Sequence, residues 1–365
     1  MAAKIAKTTS KKSLRQREPK PQAEKKGIRK VADRAGVSIG TVSRVVNGAP
    51  NVDARLSRKV WKAVAEVGYV PNRNAQALVS GRTRLLGLIV ADITNPFFPE
   101  LVSGFEDIAL KMGFGILVGS TGGDPARTGT WVQRMLQHGI EGLALLTFKS
   151  EPAEVYQMLR GIPSVEVEVG RRGLGMEAIE VDYAHGIRQA VQHLAVLGHR
   201  DIVFAAGPKE DFTAAERERC FKAAMLEAGC NVSEASIYRE RPYGILEGGI
   251  EAARRILLRP QLPTALICSN DLMAIGALRM FNSHNISVPR DISLIGLDDI
   301  HLAEFTTPTL TTVRIPRTEL AEITFSVLQA KLEGRPDLPQ KERTIATHLV
   351  ARESTNYPRS GQLQP

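Results

Sequence analysis

Apolar positions in the first part of the chain recur at helical spacing; further on they gather into short unbroken runs. In residues 28–48, IRKVADRAGVSIGTVSRVVNG, apolar or small side chains fall at Val31, Ala32, Ala35, Val37, Val42 and Val45. That spacing predicts two short helices packed across a tight turn. Gly36 stands where the chain must bend through a conformation that a Cβ resists, and Ser38 is a good N-cap for the second helix. The face this helix leaves exposed carries Ile39, Gly40, Ser43 and Arg44. The pattern reads as a helix-turn-helix whose second helix enters a DNA major groove, with an ordinary helical hairpin as the alternative. A third amphipathic helix is predicted over 54–67, with Leu56, Val60, Ala63, Val64 and Val67 inward and Gly68 as its end.

From Leu85 the period changes. LLGLIVAD (85–92), GFGILVGS (113–120), GLALLTF (142–148) and SVEVEVG (164–170) are apolar runs of the kind expected for strands covered on both faces. Helical stretches at 99–112 and 130–138 separate them. A second series begins near Val181, with helices at 184–197, 214–228, 245–258 and 271–284. Its strands are expected at 201–207, 236–242, 264–270 and 291–299. Two successive sets of strand–helix units imply two doubly wound lobes with parallel sheets. Ligands in such sheets bind outside the carboxyl ends of the strands, so facing lobes would close around one between them. Four regions follow: a disordered basic tail (1–27), an all-α helix-turn-helix headpiece (28–70), a linker (71–84) and the two-lobed α/β domain (85–365).

Charge becomes informative once it is divided along the chain. The net charge is +9, but residues 1–84 hold 20 Lys/Arg against 5 Asp/Glu, and the remainder holds 28 against 34. The excess therefore lies wholly on the segment with the predicted DNA-reading helix, where duplex phosphates are the natural partner. A membrane surface is the rival polyanion, but no basic amphipathic helix with a bulky apolar face occurs there. No run approaches the roughly 18 apolar residues of a membrane span, and no apolar segment follows the Lys-rich start as in a secretory signal. Cys220, Cys230 and Cys268 lack metal-type spacing and read as reduced residues of a cytoplasmic protein.

Eight motifs occur in order: AGVSIGTVSRVVNG (35–48), GYVPNRNAQAL (68–78), NPFF (95–98), LGHRDIVF (197–204), NDLMAIGA (270–277), GLDD (296–299), PTLTTV (308–313) and RES (352–354). On these the chain resembles the lactose-repressor/galactose-repressor family of bacterial transcription regulators, over about residues 28–355. The resemblance implies a periplasmic-binding-protein-like core behind the headpiece. It also implies a homodimer on near-palindromic double-stranded operator DNA, with affinity set by a small effector between the lobes. One departure lies at the first helix: Gly27 and Lys30 stand where the family usually places Thr and Asp, which weakens its N-terminal cap.

Carried over position by position, Ile39, Gly40 and Arg44 would read bases, while Ser38, Thr41, Ser43 and Asn47 hold phosphates. Residues 72–80 correspond to the family's hinge helix; there Asn72, Arg73 and Gln76 would contact DNA and Leu78 would wedge into the minor groove. The effector set would be Asn95, Phe97, Phe98 and Glu168 from the first lobe and Arg217, Tyr243, Asn270 and Asp298 from the second. Acceptors such as Asp298 and Glu168 suit vicinal hydroxyls, and aromatic faces suit a sugar ring. Arg217 is preferred over Arg219 because the family's arginine stands four residues before the aromatic, here Phe221. Phe97, Phe98 and Glu168 have plain alternatives as core residues and a surface charge. His199 falls in a turn motif with a structural role.

A transport-type sugar-binding protein shares this fold, but it would carry an export signal and no basic headpiece. An enzyme is the other rival class; no phosphate-binding loop, zinc-protease or nucleophile-elbow motif occurs. The expectation is therefore a regulator, read as a repressor, with no catalytic residues, no metal and no cofactor, and a sugar or sugar derivative as effector. The segment ending at Pro365 has no leucine heptads, so a dimer is the expected assembly.

Overall fold

Local signals decide the first three helices. The computed structural model describes residues 27–49, 52–70, 77, 81–147, 151–167, 176–239, 245–336 and 339–359. Helices α1 (Ile28–Ala35), α2 (Ile39–Val46) and α3 (Ala54–Val67) pack around Val31, Ala35, Val42, Val45, Val60 and Val64. Gly36 takes φ +60°, the left-handed conformation that ends α1 and turns the chain. The Ser38 hydroxyl accepts from Thr41 N at 3.1 Å and starts α2. Asp53 caps α3 through Arg55 N (2.9 Å) and Leu56 N (3.0 Å), and Gly68, at φ +62°, closes it. At Gly27 no side chain caps α1, in keeping with the departure from the family pattern. The residues of the basic tail before Gly27, and most of the linker, lie outside the described residues.

The chain divides into two units, Met1–Arg82 and Thr83–Pro365. The second contains two six-stranded sheets. The first is formed by β1 (Leu85–Val90), β2 (Gly115–Ser120), β3 (Gly142–Leu146), β4 (Ser164–Val167), β5 (Glu177–Asp182) and β11 (Thr344–Ala346). Its order is β11-β5-β4-β3-β1-β2, parallel throughout. The second comprises β6 (Ile202–Ala206), β7 (Ile237–Arg239), β8 (Ala265–Cys268), β9 (Ser293–Asp298), β10 (Thr311–Arg314) and β12 (His348–Val350). Its order is β12-β10-β9-β8-β6-β7, with only the β10–β12 pair antiparallel. Helices α4 (Phe97–Lys111), α5 (Pro125–Gln137) and α6 (Ala153–Met158) accompany the first sheet, and α7 (Tyr183–Val196), α8 (Phe212–Glu227), α9 (Ile245–Leu257) and α10 (Asp271–Ser283) the second. Helix α11 (Arg317–Leu332) returns to the first lobe and packs on α4.

The lobes are therefore not two successive blocks, as the strand–helix alternation suggested. The chain crosses between them three times, after β5, after β10 and after β11. At these crossings the Thr347 hydroxyl donates to Asp182 O at 2.6 Å and accepts from Gly186 N at 3.0 Å. Any Cβ on Gly186 would collide with Val313 and Thr347, so the close approach requires glycine. Several boundaries also move. Helix α4 starts at Phe97, not 99, because Asn95 Oδ1 accepts from Phe97 N (3.1 Å) and Pro99 is tolerated in a first turn. Helix α5 starts at Pro125, not 130, because Asp124 caps Ala126 N at 3.0 Å. Within the stretches expected as strands at 236–242 and 164–170, Ile237–Arg239 and Ser164–Val167 are strands; residues 168–175 and 240–244 lie outside the described residues.

Helices α9 and α10, which flank the space between the lobes, touch backbone to backbone at glycines. A Cβ on Gly249 would overlap the Met273 carbonyl, and one on Gly276 the Leu246 carbonyl. Gly249→Ala is expected to lower stability by about 3 kcal/mol, the upper end for overpacking, since backbone cannot step aside as a side chain can. Urea unfolding checks this; a midpoint within error of the parent would contradict it. All three cysteines are free and buried, and burial pushes the Cys220 thiol up to about 12, so it stays protonated at neutral pH. His199 is buried and bonds Asn356 O (2.7 Å) and Ser293 Oγ (3.2 Å), tying down the C-terminal segment. Among the described residues no helix is long and apolar enough to cross a membrane.

Candidate functional site

On the headpiece, α2 turns Val42 and Val45 inward and leaves Ile39, Gly40 and Arg44 exposed, with Thr41 and Ser43 half-buried. Arg44 lies along its own helix, Nε donating weakly to Gly40 O at 3.4 Å. Asn47 Nδ2 donates to Ser43 Oγ (3.3 Å), and Ser38 and Thr41 share a hydroxyl contact at 2.9 Å. The exposed face thus offers one long bidentate donor, one apolar side chain and a position with no side chain at all. Asn72, Arg73, Gln76 and Leu78 lie outside the described residues.

In the second unit a cleft of about 460 Å³ opens at the carboxyl ends of both sheets. Six of the eight expected effector residues line it: Asn95, Phe97 and Phe98 from the first lobe, and Arg217, Asn270 and Asp298 from the second. Glu168 and Tyr243 lie outside the described residues. Phe97 and Phe98 are buried in the core and also reach the cleft, packed edge to face at 5.3 Å. Asn95 and Asn270 are half committed already, each using its side-chain oxygen to start a helix, at Phe97 N and Met273 N (2.8 Å).

Arg217 is the most constrained cation in the cleft. Nη1 donates to Ser269 O and Nη2 to the Tyr183 hydroxyl, both at 2.8 Å, and the guanidinium lies 4.5 Å above the Tyr183 ring. Asp298 Oδ1 stands 3.6 Å from Nη2, within ion-pair range. Arg219, the competing candidate, is on the surface, paired with Glu216. Asp298 has φ +115°, a conformation rare for a side-chain-bearing residue, and its carbonyl accepts from Arg317 at 2.7 Å. Beneath it the fully buried Asp271 accepts from Thr312 Oγ1 (2.5 Å) and Ile300 N (2.9 Å). Burial, with Asp298 close by, raises its pKa well above the carboxylate range. Glu100, on the same helix as the two phenylalanines, bonds across the lobes to His301 N (3.1 Å) and pairs with Arg317 (2.8 Å).

Sequence reasoning missed several cleft residues: Asp92, Thr147, Asp211, Thr213 and Ser269 line it, and Tyr183 holds Arg217 from beneath. Asp92, Thr147 and Ser269 each follow closely on a strand end, a signal that was available. No such signal exists for Tyr183, whose role rests on a contact between separate elements. Beside the first lobe's strand ends, Glu166 is buried and accepts from the Tyr156 hydroxyl at 3.0 Å; burial pushes its pKa up to about 7. The folded state therefore keeps a proton that an unfolded glutamate releases near 4.5, so stability from this group is fullest below about 4.5 and falls as pH rises to 7. Glu166→Gln is expected to stabilise by about 3 kcal/mol at pH 8, the cost of ionising across that interval, with the gain fading towards pH 4.5. Thermal melts across that range read it, and a pH-independent difference would contradict it.

Two regions match described families: residues 27–72 the bacterial regulatory proteins of the lacI family, and residues 191–355 the periplasmic binding protein-like domain. The ribose operon repressor of Escherichia coli (strain K12) is 33% identical over 329 residues, covering 90% of this chain and 99% of the relative. This chain belongs to the lacI family of bacterial regulatory proteins. The GalR regulator of the same organism is 31% identical over 91% of this chain and 96% of its own length. Among solved structures, the lac repressor dimer bound to operator and the anti-inducer ONPF aligns with a TM-score of 0.76 at 27% identity, covering 89% of this chain and 98% of that one. A complex of the regulator CelR with cellobiose aligns at 0.64 and 30%, over 90% and 100%. As in other lacI-family regulators, a helix-turn-helix headpiece precedes two parallel-sheet lobes.

Proposed function

We propose that this protein is a transcriptional repressor that binds operator DNA as a homodimer through α2 and changes its affinity when a sugar or sugar derivative occupies the cleft. The observation that carries the effector half is the convergence of Asn95, Phe97 and Phe98 with Arg217, Asn270 and Asp298 on one cleft between two lobes. Its chemistry suits a polyol: aromatic faces for the ring, and carboxylate, amide and guanidinium groups for hydroxyls. Relatives named for ribose, cellobiose and lac operator support that class of ligand and partner. Ile39, Gly40 and Arg44 would read bases, with Ser38, Thr41, Ser43 and Asn47 on phosphates, and Asn72, Arg73, Gln76 and Leu78 would act at the hinge. Glu168 and Tyr243 would complete the cleft. The protein performs no catalysis in this account and works in the cytoplasm, where its DNA lies.

Ligand in the cleft acts on DNA only through differential affinity for two lobe arrangements. Arg217 is placed to report such a change, because it touches the cleft and, through Tyr183, the first crossing between lobes. A thermal-shift screen against a carbohydrate panel tests the reading, since a native-state ligand raises the melting temperature. A sugar that stabilises the protein and changes operator binding supports it. Stabilisation only by a nucleobase would replace the effector class, and turnover of a candidate sugar would overturn the regulator reading.

A further inference from the structure

We infer that the outward face of α3 is a second DNA-contacting surface, one that holds duplex phosphates without reading bases; this rests on the DNA-binding reading above. Arg55, Arg58, Lys59 and Lys62 are all on the outward side of α3. At 100° per residue they form one stripe opposite the buried Val60, Ala63 and Val64. A solvated helix face commonly sets a carboxylate three or four residues from each cation. Here the i, i+4 neighbours are Arg55 with Lys59 and Arg58 with Lys62, so like charge faces like charge. The single carboxylate of α3, Glu66, is taken by Arg34, and none of the four cations has an ion pair among the described residues. Such a stripe repels itself in isolation and is relieved by a polyanion, whose condensed counterions it releases.

The stripe is separate from the reading surface, yet it meets it at one edge. The Lys59 ammonium lies 3.6 Å from where a Cβ on Gly36 would stand, beside the turn that leads into α2. Phosphates flanking the groove that α2 enters are therefore the anions these long side chains would meet. Trp61, 46% exposed, stands next to Lys62 and one turn from Arg58, where it reports on whatever approaches.

The test uses the full-length protein and a variant carrying Arg58→Gln, Lys59→Gln and Lys62→Gln. Each is titrated, over a salt series, with a duplex that the parent selects from a random library and with a scrambled duplex. The logarithmic salt slope is expected to become shallower by about 0.9 for each phosphate no longer neutralised, up to roughly 2.7 per subunit and about 5.4 for the dimer when all three contacts are lost. Both duplexes should weaken by the same factor, leaving preference intact, and the melting temperature should hold or rise. An unchanged slope with preference retained overturns this inference while leaving the role of α2 standing. A parent protein that selects no duplex overturns the reading beneath it. As a second readout, Trp131→Phe leaves Trp61 as the sole tryptophan of the two in the chain. Its fluorescence should change on adding scrambled duplex and recover with salt; no change also overturns the inference.

Discussion

Arg44→Ala is expected to abolish sequence preference while leaving residual binding to any duplex. Of the three positions proposed to read bases, Ile39 has only apolar surface, suited to a thymine methyl, and Gly40 has no side chain. Arg44 alone can bond guanine O6 and N7 together, a contact worth roughly 1–3 kcal/mol of discrimination. A dimer on a near-palindrome makes it twice, so the loss should be about 2–6 kcal/mol, at least thirtyfold in affinity. The arginine has little to give up, since its bond to Gly40 O is long and on an exposed face. Each subunit loses one positive charge, so binding to scrambled DNA should fall much less. A gel-shift competition between operator and scrambled duplex separates the two effects. An unchanged preference would remove Arg44 from the reading face and shift the burden to DNA shape.

Arg217→Ala should be the most damaging substitution in the cleft. It takes the guanidinium from Asp298, from Ser269 O and from the Tyr183 hydroxyl in one step. Asp298 is then a buried carboxylate above the buried Asp271, with Asp299 adjacent. Breaking a buried pair by removing one partner costs roughly 3–5 kcal/mol, so the urea midpoint should fall sharply. Because so large a loss could mask the effector result, Arg217→Lys is the companion variant. Lysine keeps the charge but cannot span the Ser269 carbonyl and the Tyr183 hydroxyl as a planar fork does. The lysine variant should recover most of the stability and still respond poorly to cleft ligands. A lysine variant with parental ligand affinity would mean that the charge alone suffices and that the planar fork of Arg217 has no part in holding the ligand.

The headpiece was legible almost residue by residue because everything that shapes it is local. Gly36 turns the chain, Ser38 caps α2, Asp53 and Gly68 bracket α3, and the inward stripe is at helical spacing. The lobes were legible as strand–helix units but not as an interleaved pair. What joins them is β11 and β12, three residues each, and the long return of α11 to α4. Three-residue strands carry no period, and a pairing such as Ile345 with Val181 leaves no mark in either segment. In the cleft, family motifs pointed to Asn95, Phe97, Phe98, Asn270 and Asp298, whereas Tyr183 under Arg217 depended on tertiary contact. The left-handed backbone at Asp298 and Asp299 was likewise hidden, since aspartate is not the residue that usually signals it.

Occupancy of the cleft is proposed to set affinity for DNA, and operator binding with and without sugar tests this. Operator affinity is determined by fluorescence anisotropy with and without a saturating concentration of the sugar that most raises the melting temperature. A change of at least fivefold, the low end of coupling between two linked sites, is expected in the parent but not in Arg217→Lys at the same sugar concentration. A sugar that stabilises the protein yet leaves operator affinity unchanged would contradict it.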